Sequence, residues 1–362
     1  MNGALYNIFF PVDMFENDAD KNEALEQLAF QLMPLETNMT DTSVFFLTEG
    51  RKILTAAMIT YYHQGMDFPQ ICKRIISSSW STLFSEIDQN GNYEAKQYIN
   101  SFEGTNEKNI AGCKQACDSA LKLFATNSHV YNAIGREREG KEAFTPEQLE
   151  NKNIFVVIQD SKLELYEPLV HIITAQCMEY FSNRDNNNQH TILMCLDEFA
   201  SFGHLEITPA LRKLRKKHVR IMVLTQSLAD IDLIYGRDER MAMLNNFAYK
   251  IVLGCSDSDT QEYFSRLIGE KEVYRKAVSK NGKQVTNTRT EAKERIVPPA
   301  ELARLGRHMI LLAEGKYYKL TKNYYFELDL WDRVKKCINN LSRIQEEDFS
   351  EKNTLSLTDE NK

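Results

Sequence analysis

From residue 154 onward, short apolar runs alternate with helical stretches, and few features restrict a fold more tightly. Ile154-Phe155-Val156-Val157-Ile158 is an unbroken β-branched and aromatic run, the composition of a strand buried on both faces. An amphipathic helix follows at about Tyr166–Phe181, then a strand at Thr191–Leu196 and a basic helix at about Pro209–Lys217. The series continues with a strand at Arg220–Thr225, a helix around Glu239–Phe247, a strand at Lys250–Gly254, a helix at Ser258–Ile268 and a last strand at Met309–Ala313. Strands alternating with helices of this length imply right-handed crossovers and a mainly parallel sheet covered on both faces. This half therefore reads as an α/β domain.

The first third has a different texture. Ala24, Leu25, Leu28, Ala29 and Leu32 form one helical stripe, Phe45–Tyr62 repeats the pattern at greater length, and helical stretches recur around 71–76, 93–102 and 110–124. No strand signal appears between residues 40 and 124, so this segment reads as all-α. The expected organisation is a partial entry segment at 1–39, an all-α domain at 40–150, an α/β domain at 151–340 and a disordered tail at 341–362, where the chain turns polar and acidic.

Composition excludes several classes. Of the 362 residues 43% are hydrophobic and 26% charged, with only 8 prolines, which rules out collagen-like and wholly disordered chains. No apolar run approaches the roughly 20 residues of a membrane span, and the first ten residues lack the basic start of a signal peptide. A net charge of -7 argues against a protein that coats nucleic acid over its whole surface, though not against a local basic groove. Seven scattered cysteines fit reduced thiols in a cytoplasmic setting. Cys113 and Cys117 lie one helical turn apart, but two thiols cannot close a tetrahedral metal site.

The sharpest local signal is Thr191-Ile192-Leu193-Met194-Cys195-Leu196-Asp197-Glu198-Phe199. An apolar strand ending in Asp-Glu sets two carboxylates at the carboxyl edge of a parallel sheet, where ligand sites of α/β folds lie. In P-loop motors such an Asp holds Mg²⁺ through a water, and the neighbouring Glu polarises the attacking water. The same pattern also fits a strand end with two solvated acids. The next strand ends in Thr225-Gln226-Ser227, so Gln226 occupies the equivalent edge, where it either touches a γ-phosphate and its attacking water or simply caps a turn.

Two basic segments stand out. Residues 212–220 hold six Lys or Arg in nine positions, a ridge that could present an arginine finger, contact phosphate or form a solvated face. Lys271–Arg295 carries eight Lys or Arg against three Glu and contains the hairpin signal Asn281-Gly282. It reads either as a loop facing a channel or as a solvated surface hairpin. One decoy is Gly135–Lys141, which satisfies Gly-x-x-x-x-Gly-Lys. Glu142 stands where Ser or Thr should ligate Mg²⁺, and Glu137 and Glu139 would put anions into a phosphate cradle.

The ordered set Leu196-Asp197-Glu198-Phe199, Gly203, Thr225-Gln226-Ser227, Tyr235-Gly236, Leu244-Asn245-Asn246, Ile251-Val252-Leu253-Gly254, Leu267-Ile268-Gly269 and Arg295–Leu302 resembles the type IV coupling proteins, the TraG/TraD-like ATPases of conjugation. Tyr6–Phe9 and Phe45–Leu54 resemble the segment where that family enters its inserted all-α domain. The resemblance spans about residues 6 to 330. It implies a RecA-like P-loop motor domain interrupted by an all-α domain, assembled as a homo-hexamer at the cytoplasmic face of the bacterial inner membrane. Expected partners are the relaxase or relaxosome, single-stranded DNA and components of the secretion channel.

Carried over by position, the resemblance makes Asp197 the Mg²⁺-side acid, Glu198 the water-activating acid and Gln226 the phosphate sensor. Arg215, or else Arg212, becomes the arginine finger acting across a subunit boundary. Family members carry a membrane anchor and a Walker A loop ahead of the part matched here, so the chain is expected to be a fragment beginning downstream of both. ATP and Mg²⁺ are the expected cofactors of the intact protein, with little nucleotide binding by this chain alone. Two other readings stay open: a non-catalytic DNA- or relaxosome-binding module, and another RecA-like DNA translocase of the FtsK or HerA kind.

Overall fold

The computed structural model describes residues 5–336, except 36–38, 138–139, 153–155, 157, 186–189, 282–283, 328–330 and 334. The chain forms two compact units, Met1–Phe247 and Ala248–Lys362. That division falls inside the expected 151–340 α/β domain. The expected tail at 341–362 lies outside the described residues, as do residues 154, 155 and 157 of the expected first strand; Val156 and Ile158 take no strand conformation.

The first unit opens with β1 (Leu5–Tyr6), α1 (Phe10–Asp13) and α2 (Asp18–Leu32). Six helices follow: α3 (Asp41–His63), α4 (Phe68–Ser77), α5 (Trp80–Asn90), α6 (Tyr93–Asn100), α7 (Glu107–Thr126) and α8 (Ser128–Tyr131). Their boundaries are set by short polar caps. Thr40, Ser79, Asn92 and Asn106 each accept a backbone N–H of the helix they precede, and Asp67 with Gln70 forms a capping box at α4. Such caps satisfy orphan donors at helix starts and let the chain break into many short helices.

Packing then unites these helices. In α3 the run Ile53–Tyr61 is almost wholly buried, and Gly112 on α7 lies so close to Phe46 that a Cβ there would sit 2.5 Å from its ring. Phe9, Phe68 and Phe124 form an edge-on chain, with centroids 5.6 and 5.3 Å apart, through the middle of the core. That core also includes Leu25 of α2 and Leu169 and Ile172 of α9 (Leu163–Asn183), so it is continuous across residues 40 and 150. Tyr6 donates to Gln176 Oε1 at 2.6 Å, and Gln176 Nε2 donates to the Ile8 carbonyl at 2.8 Å, tying β1 to α9. β1 pairs in parallel with β2 (Ala143–Phe144).

After α9 come β3 (Ile192–Leu196), α10 (Ile207–Leu214), β4 (Val219–Val223) and α11 (Leu228–Asn246), the last broken at Gly236, where φ is 73°. β3 and β4 pair in parallel with Leu196 opposite Val223, as strand–helix–strand alternation requires. α11 starts eleven residues before the expected helix at 239, because Ser227 and Asp230 cap it there.

The second unit corrects the expected parallel pairing. β5 (Tyr249–Val252), β8 (His308–Ala313) and β9 (Lys316–Thr321) form an antiparallel sheet in that order. Glu314 and Gly315 form a two-residue turn with φ of 53° and 72°, a hairpin geometry that brings β9 back along β8, and β5 meets β8 antiparallel because the chain between them, residues 253–307, is not the single crossover helix that a parallel pair requires. Between β5 and β8 lie α12 (Ser258–Ile268), the long hairpin β6 (Glu270–Asn281) and β7 (Gln284–Arg295), and α13 (Pro299–Leu302). Ser265 of α12 donates to the Val297 carbonyl at 2.7 Å in the core of this unit.

Candidate functional site

The ladder between β3 and β4 runs on past the strands. Leu224 N–H donates to the Leu196 carbonyl and Phe199 N–H to the Leu224 carbonyl, both at 2.9 Å. These bonds hold the residues following the two strands together, and Asp197, Glu198 and Gln226 all leave from this one carboxyl edge. All three are exposed. Asp197 Oδ1 accepts the Glu198 N–H at 3.0 Å, and Glu198 sits in the left-handed region at φ 48°, ψ 54°. A non-glycine residue held there costs energy that the surrounding turn must sustain, and such residues concentrate at functional sites.

The turn is held from beneath. Phe199 is fully buried and stacks on Tyr235 at 5.4 Å, and Tyr235 Oη accepts the Leu205 N–H at 3.0 Å while donating to the Gly203 carbonyl at 3.3 Å. Burial pushes the Tyr235 hydroxyl well above its usual range, so it stays a donor. His204 lies against the same ring and contacts Glu239 at 3.2 Å. From α9, Glu167 fills the space beside Gly203, where a Cβ would stand 2.6 Å from its carboxylate oxygen, and His171 Nδ1 lies 3.2 Å from the Phe202 carbonyl. A cleft of about 680 Å³ opens here, lined among others by Gln31, Glu164, Glu167, His171, Ser201 and His204. Tyr235 and Gly203 carry a signal in the motif order. Glu167 and His171 do not, because they lie on an apolar helix some thirty residues upstream.

His171 gives this loop a pH response. Burial lowers its pKa from the ordinary 6.5, the positive field of His204 lowers it further, and the Phe202 carbonyl opposes the shift. The folded state thus prefers neutral imidazole, while the unfolded chain takes up the proton below about pH 6.5. Stability should fall as pH drops below that value, and His171→Gln should flatten this part of the profile in urea titrations between pH 5 and 7. Parallel profiles for the two proteins would contradict it.

The two arginines lie elsewhere. Arg212 is on α10 and Arg215 begins a 3-10 turn that leads into β4, and both are exposed. The His218 carbonyl accepts the Ile192 N–H at 3.1 Å, which fixes this segment at the amino edge of the strands. Five strand residues, about 16 Å, separate that edge from Asp197. Within one chain the arginines and the acids are therefore not brought together.

The decoy is also placed. Gly135–Lys141 follows α8 and leads into β2, whereas a phosphate loop opens a helix N-terminus. Arg136 within it pairs with Asp13 at 2.6 Å and packs over the Tyr62 ring. Cys113 and Cys117 are buried in α7, with Cys117 pushed up to about 12 by burial. Asp197 and Glu198 supply exposed carboxylate oxygens, the donor type that Mg²⁺ prefers.

A family model for type IV secretory system conjugative DNA transfer matches residues 2–352. The chain belongs to this family. Protein VirD4 of Agrobacterium fabrum is 23% identical over 195 residues, 52% of this chain and 28% of VirD4. VirD4 of Rhizobium radiobacter is 24% identical over the same length. The chain thus spans under a third of the length of the curated relatives it matches. Among solved structures, unbound TrwB, a bacterial conjugative coupling protein, superposes with a TM-score of 0.67 at 21% identity, covering 85% of this chain and 69% of TrwB. TrwB with the ATP analogue ADPNP gives 0.68 at 20% identity, over 89% of this chain and 72% of TrwB. The mixed α/β fold is shared with that coupling protein.

Proposed function

We propose that the chain is part of a type IV secretion coupling ATPase that recruits relaxase–DNA or protein substrate and drives its transfer. The observation that carries this is the shared carboxyl edge of a parallel strand pair, where Asp197, Glu198 and Gln226 emerge side by side. Bound ATP with Mg²⁺ supplies the energy, and TrwB has been captured with ADP and Mg²⁺. Asp197 would hold Mg²⁺ through a water, Glu198 would take the proton of the attacking water, and Gln226 would report the γ-phosphate to α11, whose cap Ser227 is its neighbour. Arg215, or Arg212, would serve a neighbouring subunit, in keeping with its place at the opposite edge from its own chain's acids. That role suits a homo-hexamer.

The family resemblance supports a RecA-like motor at 151–340, an entry segment at 1–39 and an inserted all-α domain at 40–150 that reads relaxosome or substrate proteins. The working location is the cytoplasmic face of the bacterial inner membrane, beside the secretion channel, with single-stranded DNA as cargo. Among the described residues no helix is long and apolar enough to cross a membrane.

The decisive experiment is transfer frequency from a donor carrying Glu198→Gln in the intact gene, for which loss is expected; near-normal transfer would refute the proposal. Since Gly135–Lys141 leads into a strand, residues 1–362 alone should hold ATP–Mg²⁺ weakly. Calorimetric titration yielding a micromolar constant would count against that.

A further inference from the structure

The cleft of about 680 Å³ beside the turn at Ala200–Gly203 is walled in part by α2, α7, α9 and α11, and its polar groups share one chemical sense. Gln31 Nε2 donates to Glu179 at 2.8 Å, and Ser119 Oγ donates to the Gln115 carbonyl of its own helix at 2.9 Å. His204 Nε2 meets a carboxylate, that of Glu239, so this nitrogen carries the hydrogen. His171 Nδ1 meets a carbonyl, that of Phe202, so Nδ1 carries the hydrogen there and Nε2 is left as an acceptor. That imidazole is 9% exposed and held in its neutral form by burial, and its Nε2 has no partner among the described residues. Most side-chain donors of the lining are thus spent inside the protein, and acceptors remain.

Glu164 and Glu167 add two carboxylates, and no Lys or Arg lines the cleft among the described residues. Pro168, also in the lining, interrupts the ladder of α9, because it has no N–H to return to the Glu164 carbonyl one turn back. Glu164, Glu167 and His171 follow at intervals of three and four residues, so they share one face of α9 and step along it by about 5 Å each. Leu32, Pro34, Ala120 and Leu163 supply apolar surface to the same cleft, and Leu233 lines it while remaining 78% exposed.

Such a lining repels anions. A metal ion is a poor fit, because among the described residues no three His, Cys, Asp or Glu side chains are grouped to hold one. A cation that brings its own hydrogens and an apolar body matches both parts of the wall, and the volume is that of a small-molecule site. We propose that this cleft binds a linear alkyl polyammonium ion, its charges seated on Glu164, Glu167 and His171 Nε2 and its methylenes along the apolar surface. Ammonium groups joined by short methylene chains repeat at about the one-turn step of the α9 acceptors, and each gives charge-assisted hydrogen bonds to a carboxylate. The same group is carried by lysine side chains, so a free polyamine and a lysine-bearing peptide are the two sources to separate. An occupant would buttress the turn that follows Glu198, a consequence that rests on the proposed function; the binding itself does not.

Calorimetric titration of the whole 362-residue chain with spermidine at low salt should show one saturable site. Glu164→Gln/Glu167→Gln should weaken it at least about tenfold, the loss expected for a single hydrogen bond to a charged group. Glu103→Gln/Glu107→Gln, exposed acids outside the cleft, removes the same net charge and should bind as the wild type does. Leu233→Lys sets a tethered alkylammonium at the cleft from a position too exposed to disturb folding, so it should weaken spermidine binding about fivefold or more, and it decides the matter even if the Gln variant is unstable. Tighter binding of a capped Lys-Gly-Lys peptide than of spermidine assigns the ammonium groups to a protein ligand, and the reverse order to a free polyamine; either supports the site. The inference is overturned if neither probe saturates, if the Gln variant and Leu233→Lys both bind like the wild type, or if the outside control loses as much as the Gln variant. Displacement of spermidine by Mg²⁺ at equal charge also overturns it, as the mark of a diffuse counterion effect. All of these measurements are made without ATP, so failure here and failure of the Glu198 test are separable.

Discussion

Glu198→Gln should lower transfer frequency by about two to four orders of magnitude while leaving the fold intact. The size follows from the role proposed: a positioned base that takes a proton in the transition state contributes roughly 10²- to 10⁴-fold, and an amide cannot take it. Folding should be indifferent because the Glu198 side chain is exposed and Gln keeps its shape. Glu198→Gly separates the two effects further. The backbone there has φ 48°, which Gly adopts freely, so this variant should lose transfer equally yet be more stable by about 0.5–1 kcal/mol in denaturant titrations. A gain in stability without loss of transfer would make Glu198 a strained turn residue and nothing more. Asp197→Asn should also abolish transfer, but its carboxylate accepts the Glu198 N–H, so a small loss of stability should accompany it.

What the chain order made legible was whatever local pattern decides. β3 and β4 were readable because apolar runs, five residues at 192–196 and four at 221–224, end in polar residues, and that same ending located Asp197, Glu198 and Gln226. Helices α2, α3, α4, α6 and α7 were readable from their apolar stripes, whereas α5 was not, since only Leu83 and Ile87 of its eleven residues are buried. Strand direction was not, since β8 pairs antiparallel with β5 across a long connection holding α12, the β6–β7 hairpin and α13, and no local pattern fixes which way such a connection returns. β1 and β2 have two residues each, too few for any period to register. The Tyr6–Gln176 bond joins residues 170 apart, and nothing local marks either partner as buried. At the site, Glu167 and His171 stayed invisible for the same reason: they act through a loop brought to them by packing. Separation of the arginines from the acids follows from topology, because a crossover helix delivers its end to the amino edge of the next strand.

That amino edge holds the strand pair in place, and its loss should be the costliest single change to stability. The Arg184 side chain is 2% exposed and forms a two-bond fork with Glu150, Nε and Nη2 each donating at 2.6 Å, while Nη1 donates to the carbonyls of His190 at 2.7 Å and Lys217 at 3.1 Å. One guanidinium thus ties the segment before β3, the turn before β4 and the 3-10 turn at Pro146–Glu150. Arg184→Met would leave a largely buried carboxylate and two carbonyls without their donor, a loss of about 3–5 kcal/mol. Against a total stability of roughly 5–15 kcal/mol, that should bring the variant close to unfolding at 37 °C. Glu150→Gln should cost about 1–2 kcal/mol, because an amide still accepts one bond. Arg184→Met/Glu150→Leu should be more stable than Arg184→Met alone, since it removes the stranded charge. A single-variant loss under 1 kcal/mol would show that the fork is incidental. If the larger loss is found, transfer should fall in Arg184→Met even at permissive temperature, because the alignment of β3 with β4 is what holds Asp197 and Gln226 at one edge.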